Sequence, residues 1–249
     1  MKVAVFGASG RMGTQVCETV ATQSDMELVA GVDIGDAVEP VGLADVAIDF
    51  TNPDAVMDHI TWCLAHGVRV VVGTSGFTVA KFDQVKQMVS DHPDASVLIA
   101  PNFSVGAVLM MHVATLAAPY FDSAEIIEAH HPLKIDAPSG TAMATASAMA
   151  KARLRADCAA CPDATVHELS GARGASIDGI KVHSVRLPGV IAQQEVRLAS
   201  DGESLTIIND ARSRASYMPG VLAGVRWVMS HSGLTIGLEP VLGLPSLEA

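Results

Sequence analysis

Short runs of consecutive apolar residues alternate, over the first hundred positions, with longer segments whose apolar residues recur every three or four. Val3 to Phe6, Glu27 to Val32, Val46 to Phe50, Val68 to Val72 and Ser96 to Ile99 read as strands. Arg11 to Thr22, Pro53 to His66 and Lys81 to Val89 read as helices. Strands that are apolar throughout and separated by helices build a parallel sheet covered on both faces. The prediction is an α/β, doubly wound fold, whose ligand crevice lies beyond the carboxyl ends of its strands.

After Phe103 the pattern changes. Val105 to Ala118 reads as a helix carrying Met110, Met111 and His112 toward a core, Glu125 to Ala129 as a strand, and Ala142 to Ala152 as a helix. Val166 to Leu169, Val182 to Leu187, Ala192 to Leu198 and Ser204 to Asn209 read as strands, punctuated by Asp178-Gly179, Pro188-Gly189 and Asp201-Gly202. Tyr217 to Ser230 reads as a helix returning to the first domain. A second, α+β domain on a mostly open sheet follows, with residues 1–104 plus 214–249 in the first domain and 105–213 in the second. Hinges are expected near Ser104 and Ser213, where the chain crosses.

The first strand runs into Gly7-Ala8-Ser9-Gly10-Arg11-Met12-Gly13 and then a helix. Glycines there allow a tight turn and close backbone approach, and the helix directs free N–H groups and its positive dipole end at a pyrophosphate. Asp33 ends the second strand about 20 residues beyond Gly13, where a carboxylate accepts hydrogen bonds from ribose hydroxyls. Strand, loop, helix and acid in this order predict a Rossmann-like dinucleotide domain. Ile34 and Gly35 after Asp33 favour NADH, while Arg11 can reach a 2′-phosphate and leaves NADPH open. Gly73-Thr74-Ser75 and Ala100-Pro101-Asn102-Phe103 end two further strands on the same side, where a nicotinamide and its ribose would lie.

A second concentration of chemistry spans His130 to Thr141. His130, His131 and Lys134 lie within five residues, followed by Pro138-Ser139-Gly140-Thr141 at a helix start. That start offers N–H groups and a hydroxyl to a carboxylate or phosphate. Lys134 adds positive charge, and either histidine can exchange a proton near neutral pH. Ser139 can also serve simply as a helix cap.

Composition narrows the function. A net charge of −11 argues against nucleic acid, yet leaves room for an anionic small molecule in a locally basic cleft. No apolar run spans a bilayer and the first residues lack a secretory pattern, so a cytoplasmic protein is expected. Cys158-Ala-Ala-Cys161 has no second ligand pair, so Cys17, Cys63, Cys158 and Cys161 are expected to be free thiols and no metal site is expected. Arg173-Gly174 is either near the substrate or a folding element.

The segment HHPLKIDAPSGTA resembles the signature of the 4-hydroxy-tetrahydrodipicolinate (dihydrodipicolinate) reductase family. GASGRMG, IDFTNPDAV, VVGTSGF, APNFSVGAV, SYMPGVLAGVRW and GLEPVL extend the resemblance over nearly the whole chain, and the short connection after Asp33 resembles that of actinobacterial members. The resemblance implies reduction of a cyclic imine dicarboxylate by NADH or NADPH on the route to diaminopimelate and lysine. It implies His130 as the acid/base group, Lys134 as proton donor, and His131, Gly140 and Thr141 as substrate-carboxylate contacts. It implies Gly7, Ala8, Ser9, Gly10, Arg11, Met12 and Asp33 for the dinucleotide, and Gly73, Thr74, Ser75, Ala100, Pro101, Asn102 and Phe103 for its nicotinamide side. Ser75 stands where many relatives have threonine and keeps the hydroxyl. Family members pair their open sheets, which implies a homotetramer. The competing readings are another nicotinamide-dependent oxidoreductase of a small dicarboxylate and a non-catalytic dinucleotide-binding module. A semialdehyde dehydrogenase would need a nucleophilic cysteine at a strand end, and none is there.

Overall fold

The structure is a computed structural model that describes residues 1–247. It divides into two compact units: Met1–Val105 with Arg214–Pro245, and Gly106–Ser213 with Ser246 and Leu247. The tail departs from the expected division at its end. Ser246 and Leu247 group with the second unit because the Arg155 guanidinium donates to the Leu247 carbonyl.

In the first unit the strands are β1 (Lys2–Phe6), β2 (Glu27–Val32), β3 (Val46–Asp49), β4 (Arg69–Val72), β5 (Ser96–Ile99) and β11 (Gly233–Ile236). All pair in parallel, in the order β11-β5-β4-β3-β1-β2. The order reverses where β1 lies between β2 and β3, the switch point at which such sheets open a ligand crevice. The helices are α1 (Arg11–Ala21), α2 (Val56–Ala65), α3 (Val79–Ser90) and α6 (Met218–Ser230). One face of the sheet, including Ala4, Ala47, Val70 and Val97, packs on Ile60, Cys63 and Val85 from α2 and α3. The other carries α6, close enough that Gly224 faces Leu98 and Val71.

Two differences from the sequence reading have identifiable causes, one local and one from strand pairing. The helix expected from Pro53 starts at Val56, because the Asn52 side chain accepts the N–H groups of Asp54 and Ala55 and holds them in a turn. β11 was not anticipated: its four residues become a strand only by pairing with β5.

The second unit is a five-stranded mixed sheet of β6 (Ser123–His130), β7 (Ala175–Ile177), β8 (Ile180–Arg186), β9 (Ala192–Ser200) and β10 (Glu203–Ala211), in the order β10-β9-β6-β8-β7. Helices α4 (Val105–Ala117) and α5 (Gly140–Arg155) cover one face. Alternate residues Ala124, Ile126, Val196 and Leu198 point into a core with Met110, Ala114, Ala146 and Met149. The expected strand Val166–Leu169 is absent: the segment is irregular, and both apolar ends are exposed. Val166 and Leu169 are three apart, so no single strand face could bury both. Arg173 instead ties this stretch down, pairing with Asp163 and with Glu125 on the outward face of β6.

Ile126 is fully buried. Ile126→Ala should destabilise the second unit by about 2–5 kcal/mol, read as a lower urea midpoint. Ile127→Ala, on the half-buried outward face, should cost less.

Candidate active site

β1 delivers Gly7 into a turn at φ +75°, where its N–H donates to the Val32 carbonyl at 2.8 Å. Gly10 N–H returns to the Gly7 carbonyl at 3.0 Å, and a Cβ on Gly13 would lie 1.9 Å from that same oxygen. The loop is therefore folded onto the first turn of α1, and only glycine fits at position 13. Gly10 caps α1 without a side chain, so nothing bulky stands between the helix N-terminus and a ligand. Asp33 Oδ2 accepts both the Ser9 N–H (3.0 Å) and the Ser9 hydroxyl (2.6 Å), binding the loop to the end of β2. Arg11 is exposed on the first residue of α1. A backbone N–H cradle and a carboxylate at these two strand ends fit a dinucleotide.

The strand ends beside this loop hold a network the sequence reading missed. Asp49 is fully buried at the end of β3. Its Oδ1 accepts the hydroxyls of Thr51 and Thr74, each at 2.7 Å, and the Thr51 N–H at 3.0 Å. Its Oδ2 meets His59 Nδ1 at 2.7 Å, and the His59 ring stacks on Phe6 with centroids 4.1 Å apart. Burial by itself would raise the Asp49 carboxyl, but the bonds from His59, Thr74 and Thr51 outweigh it and hold it below the ordinary range. Thr74 also accepts the Thr51 N–H, so its hydroxyl is committed to the network. A Cβ on Gly73 would lie 2.1 Å from the Phe50 ring, so that loop lies flat against the aromatic face. Asn102 Oδ1 accepts the Ser104 N–H at 2.8 Å. Ala100 and Phe103 are buried, whereas Pro101 and Ser75 are exposed.

In the second unit the site grows from the end of β6. Even-numbered residues of this strand face the helices, and among them stands one carboxylate, Glu128, fully buried. Its Oε2 meets His130 Nδ1 at 2.5 Å. Arg186 on β8 grips both oxygens, at 2.9 and 3.0 Å, and the Ser139 N–H donates to Oε1 at 3.2 Å. Burial would raise the Glu128 carboxyl, but Arg186, Ser184 and His130 outweigh it and keep it ionised. Burial pushes His130 below its ordinary value; Glu128 opposes that shift, and the charges of Lys134 and Arg186 add to it.

Beyond the strand, the loop folds on itself. Lys134 N–H donates to the His131 carbonyl at 3.1 Å, and Lys134 Nζ pairs with Asp136 at 2.7 Å. The Lys134 contact foremost, with a smaller contribution from the Gly140 backbone, holds the Asp136 carboxyl below the ordinary range. Arg186 reaches the Asp136 carbonyl at 2.7 Å. A cis peptide joins Ala137 to Pro138. Ser139 caps α5 by accepting the Ala142 N–H, and Gly140 and Thr141 form its first turn. His131 is half-buried at the strand end.

Models of the dihydrodipicolinate reductase N-terminus and C-terminus match residues 1–103 and 106–242. The chain belongs to the dihydrodipicolinate reductase family. It is 53% identical to 4-hydroxy-tetrahydrodipicolinate reductase of Cutibacterium acnes, over 98% of this chain and 99% of that one. With the enzyme of the same name from Thermobifida fusca it shares 55% identity, over 98% and 100%. Among solved structures, dipicolinate-bound dihydrodipicolinate reductase from Paenisporosarcina sp. TG-14 superposes with a TM-score of 0.83 at 39% identity, covering 96% of this chain and 98% of that one. Apo scyllo-inositol dehydrogenase from Lactobacillus casei, at 11% identity and TM-score 0.59 over 98% and 94%, shares the fold.

In this dihydrodipicolinate reductase family member, sequence reasoning missed Asp49, His59, Glu128, Asp136 and Arg186. A signal existed for two of them: Asp49 closes an apolar strand, and Glu128 occupies a core-facing position of β6. The cysteines are free thiols, and burial pushes Cys63 up to about 12. Among the described residues no cluster of three His, Cys, Asp or Glu could hold a metal ion. No helix among them is long and apolar enough to cross a membrane. Arg173, paired with Glu125 and Asp163, anchors a loop.

Because Asp49 is more acidic folded than unfolded, its contribution to stability is complete above the unfolded pKa of about 3.9 and is lost as pH falls through the lower folded value. Asp49→Asn should cost about 1–3 kcal/mol at pH 7 and flatten the acid limb of stability. Urea titrations at neutral and acid pH compare the two proteins.

Proposed function

We propose that this chain reduces 4-hydroxy-tetrahydrodipicolinate, a cyclic imine dicarboxylate, to tetrahydrodipicolinate with NADH or NADPH, in diaminopimelate and lysine biosynthesis. The substrate takes up a hydride and a proton and loses its hydroxyl as water, which balances the conversion. When bound, the reduced nicotinamide supplies the hydride. Gly7 to Met12 and Asp33 would hold the dinucleotide, with the backbone around Gly73 to Ser75 and Ala100 to Phe103 toward its nicotinamide.

The observation that carries the substrate side is the position of Asp136. Its carboxylate rests on Lys134 Nζ at 2.7 Å, in the loop that leads into the N-terminus of α5. A cation ahead of a helix N-terminus binds a carboxylate, and a substrate carboxylate presents the same chemistry as Asp136. Gly140, Thr141 and His131 would hold the substrate there. Lys134 would donate the proton. His130 bonds Glu128 through Nδ1, which leaves Nε2 as its acid/base atom.

Asp33, just after β2, favours NADH, and Arg11 provides a cation for the 2′-phosphate of NADPH; turnover with each cofactor at matched concentration ranks them. The outward sheet face, with Glu195 and Arg197 on β9, would pair copies of the chain into a homotetramer. A cytoplasmic location accords with this metabolism.

The deciding experiment mixes the protein with NADH or NADPH and freshly generated imine. Loss of nicotinamide absorbance is expected, and none with either cofactor would sink the proposal. His130→Gln and Lys134→Ala should each lower kcat by about 10²-fold or more with cofactor affinity unchanged. Asp33→Ala should weaken NADH binding by calorimetry by about 10-fold or more and leave kcat at saturating cofactor nearly intact.

A further inference from the structure

The geometry assigns Glu128 a role in the reaction: we infer that it is the positioning residue that fixes the tautomer and orientation of His130, with Arg186 as the clamp that keeps it in place. This rests on the reading of His130 as the proton-handling group.

Glu128 projects from β6 into the core, two residues before His130 on the same face, so the strand itself sets their spacing. No part of the Glu128 side chain reaches solvent, while His130 is 15% exposed. The pair therefore has a dry end and an open end. A buried carboxylate persists as an anion only when donors surround it. Here Arg186 supplies a two-pronged charged contact, Ser139 an N–H, and His130 a ring N–H. An ionised carboxylate only accepts, so the proton at the 2.5 Å contact belongs to His130 Nδ1. In neutral His130 the lone pair is then on Nε2, and the imidazolium, when it forms, is stabilised by the charge behind it. A buried aspartate does the same for the histidine of a serine-protease triad.

Glu128 has a second function through the same atoms. Its Oε1 accepts the N–H of Ser139, the cap of α5, and Arg186 extends to the Asp136 carbonyl. One carboxylate thus registers His130 against the start of the helix proposed to take the substrate carboxylate. The charged groups facing His130 are Glu128 on its own strand, Arg186 on β8, and Lys134 in the following loop, itself paired with Asp136. Removing the Glu128 charge takes away the anion that favours the imidazolium and leaves Arg186 without its counter-charge, so the histidine becomes harder to protonate.

The test is Glu128→Gln, which keeps size and the capacity to accept from Ser139. The expected result is a fall in kcat of about 10²-fold or more with KM for NADH unchanged. The limb of the kcat/KM profile that reports His130 should move to lower pH. A purely structural role would lower Tm while leaving the pH limb in place. His130→Gln is run in parallel. If it keeps wild-type turnover, the reading of His130 fails and the inference with it. If it loses turnover while folded Glu128→Gln matches wild type in kcat and pH limb, the inference alone is overturned. Should Glu128→Gln not fold, ¹⁵N NMR of histidine-labelled wild-type protein decides, with His130→Gln assigning the resonance. Protonated Nδ1 in the neutral ring supports the assignment, and protonated Nε2 overturns it.

Discussion

A carboxylate that water cannot reach has to be surrounded by donors, and each unit of this chain contains one such group near the end of a strand. Asp49 in the first unit and Glu128 in the second are both fully buried, and both are held in the ionised form by the groups around them. Neither could exist without its neighbours, because an unpaired buried charge costs several kcal/mol. The residues that satisfy them are consequently fixed in position. Those residues, or the ones beside them in the chain, are the ones the proposed chemistry uses.

The two solutions differ in a way that suits their places. Asp49 is satisfied by neutral hydroxyls, one N–H and His59, whose ring is pinned against Phe6. That arrangement immobilises Thr51 and Thr74, and so the turns that end β3 and β4. Glu128 is satisfied by a guanidinium as well as a histidine. A charged clamp keeps the carboxylate anionic with less reliance on the histidine, so His130 can change protonation during a reaction without leaving Glu128 uncompensated. The first arrangement makes a rigid platform, and the second keeps a titratable group in service.

The Lys134–Asp136 pair adds a further constraint. Each side chain belongs to a short irregular loop, and the contact is partly exposed, so it contributes little to stability. Its value is in what it reveals about the donors. Lys134 Nζ, in the loop that leads into α5, is placed for a carboxylate, and a neighbouring aspartate meets it.

The sequence by itself determined the parallel sheet, the glycine loop with Asp33, and the segment from His130 to Thr141, because each depends on residues close in the chain. Apolar runs bury on both faces, Gly7 and Gly13 permit a turn others cannot make, and Ser139 caps the helix it precedes. The tertiary structure alone decided the partners. Arg186 reaches Glu128 only because β8 pairs with β6, and Thr74 reaches Asp49 only because β4 pairs with β3. The same limit explains β11, which is a strand only beside β5. Local pattern records which side chains must leave water. It does not record which distant donor will meet a buried charge, since that depends on strand order and register.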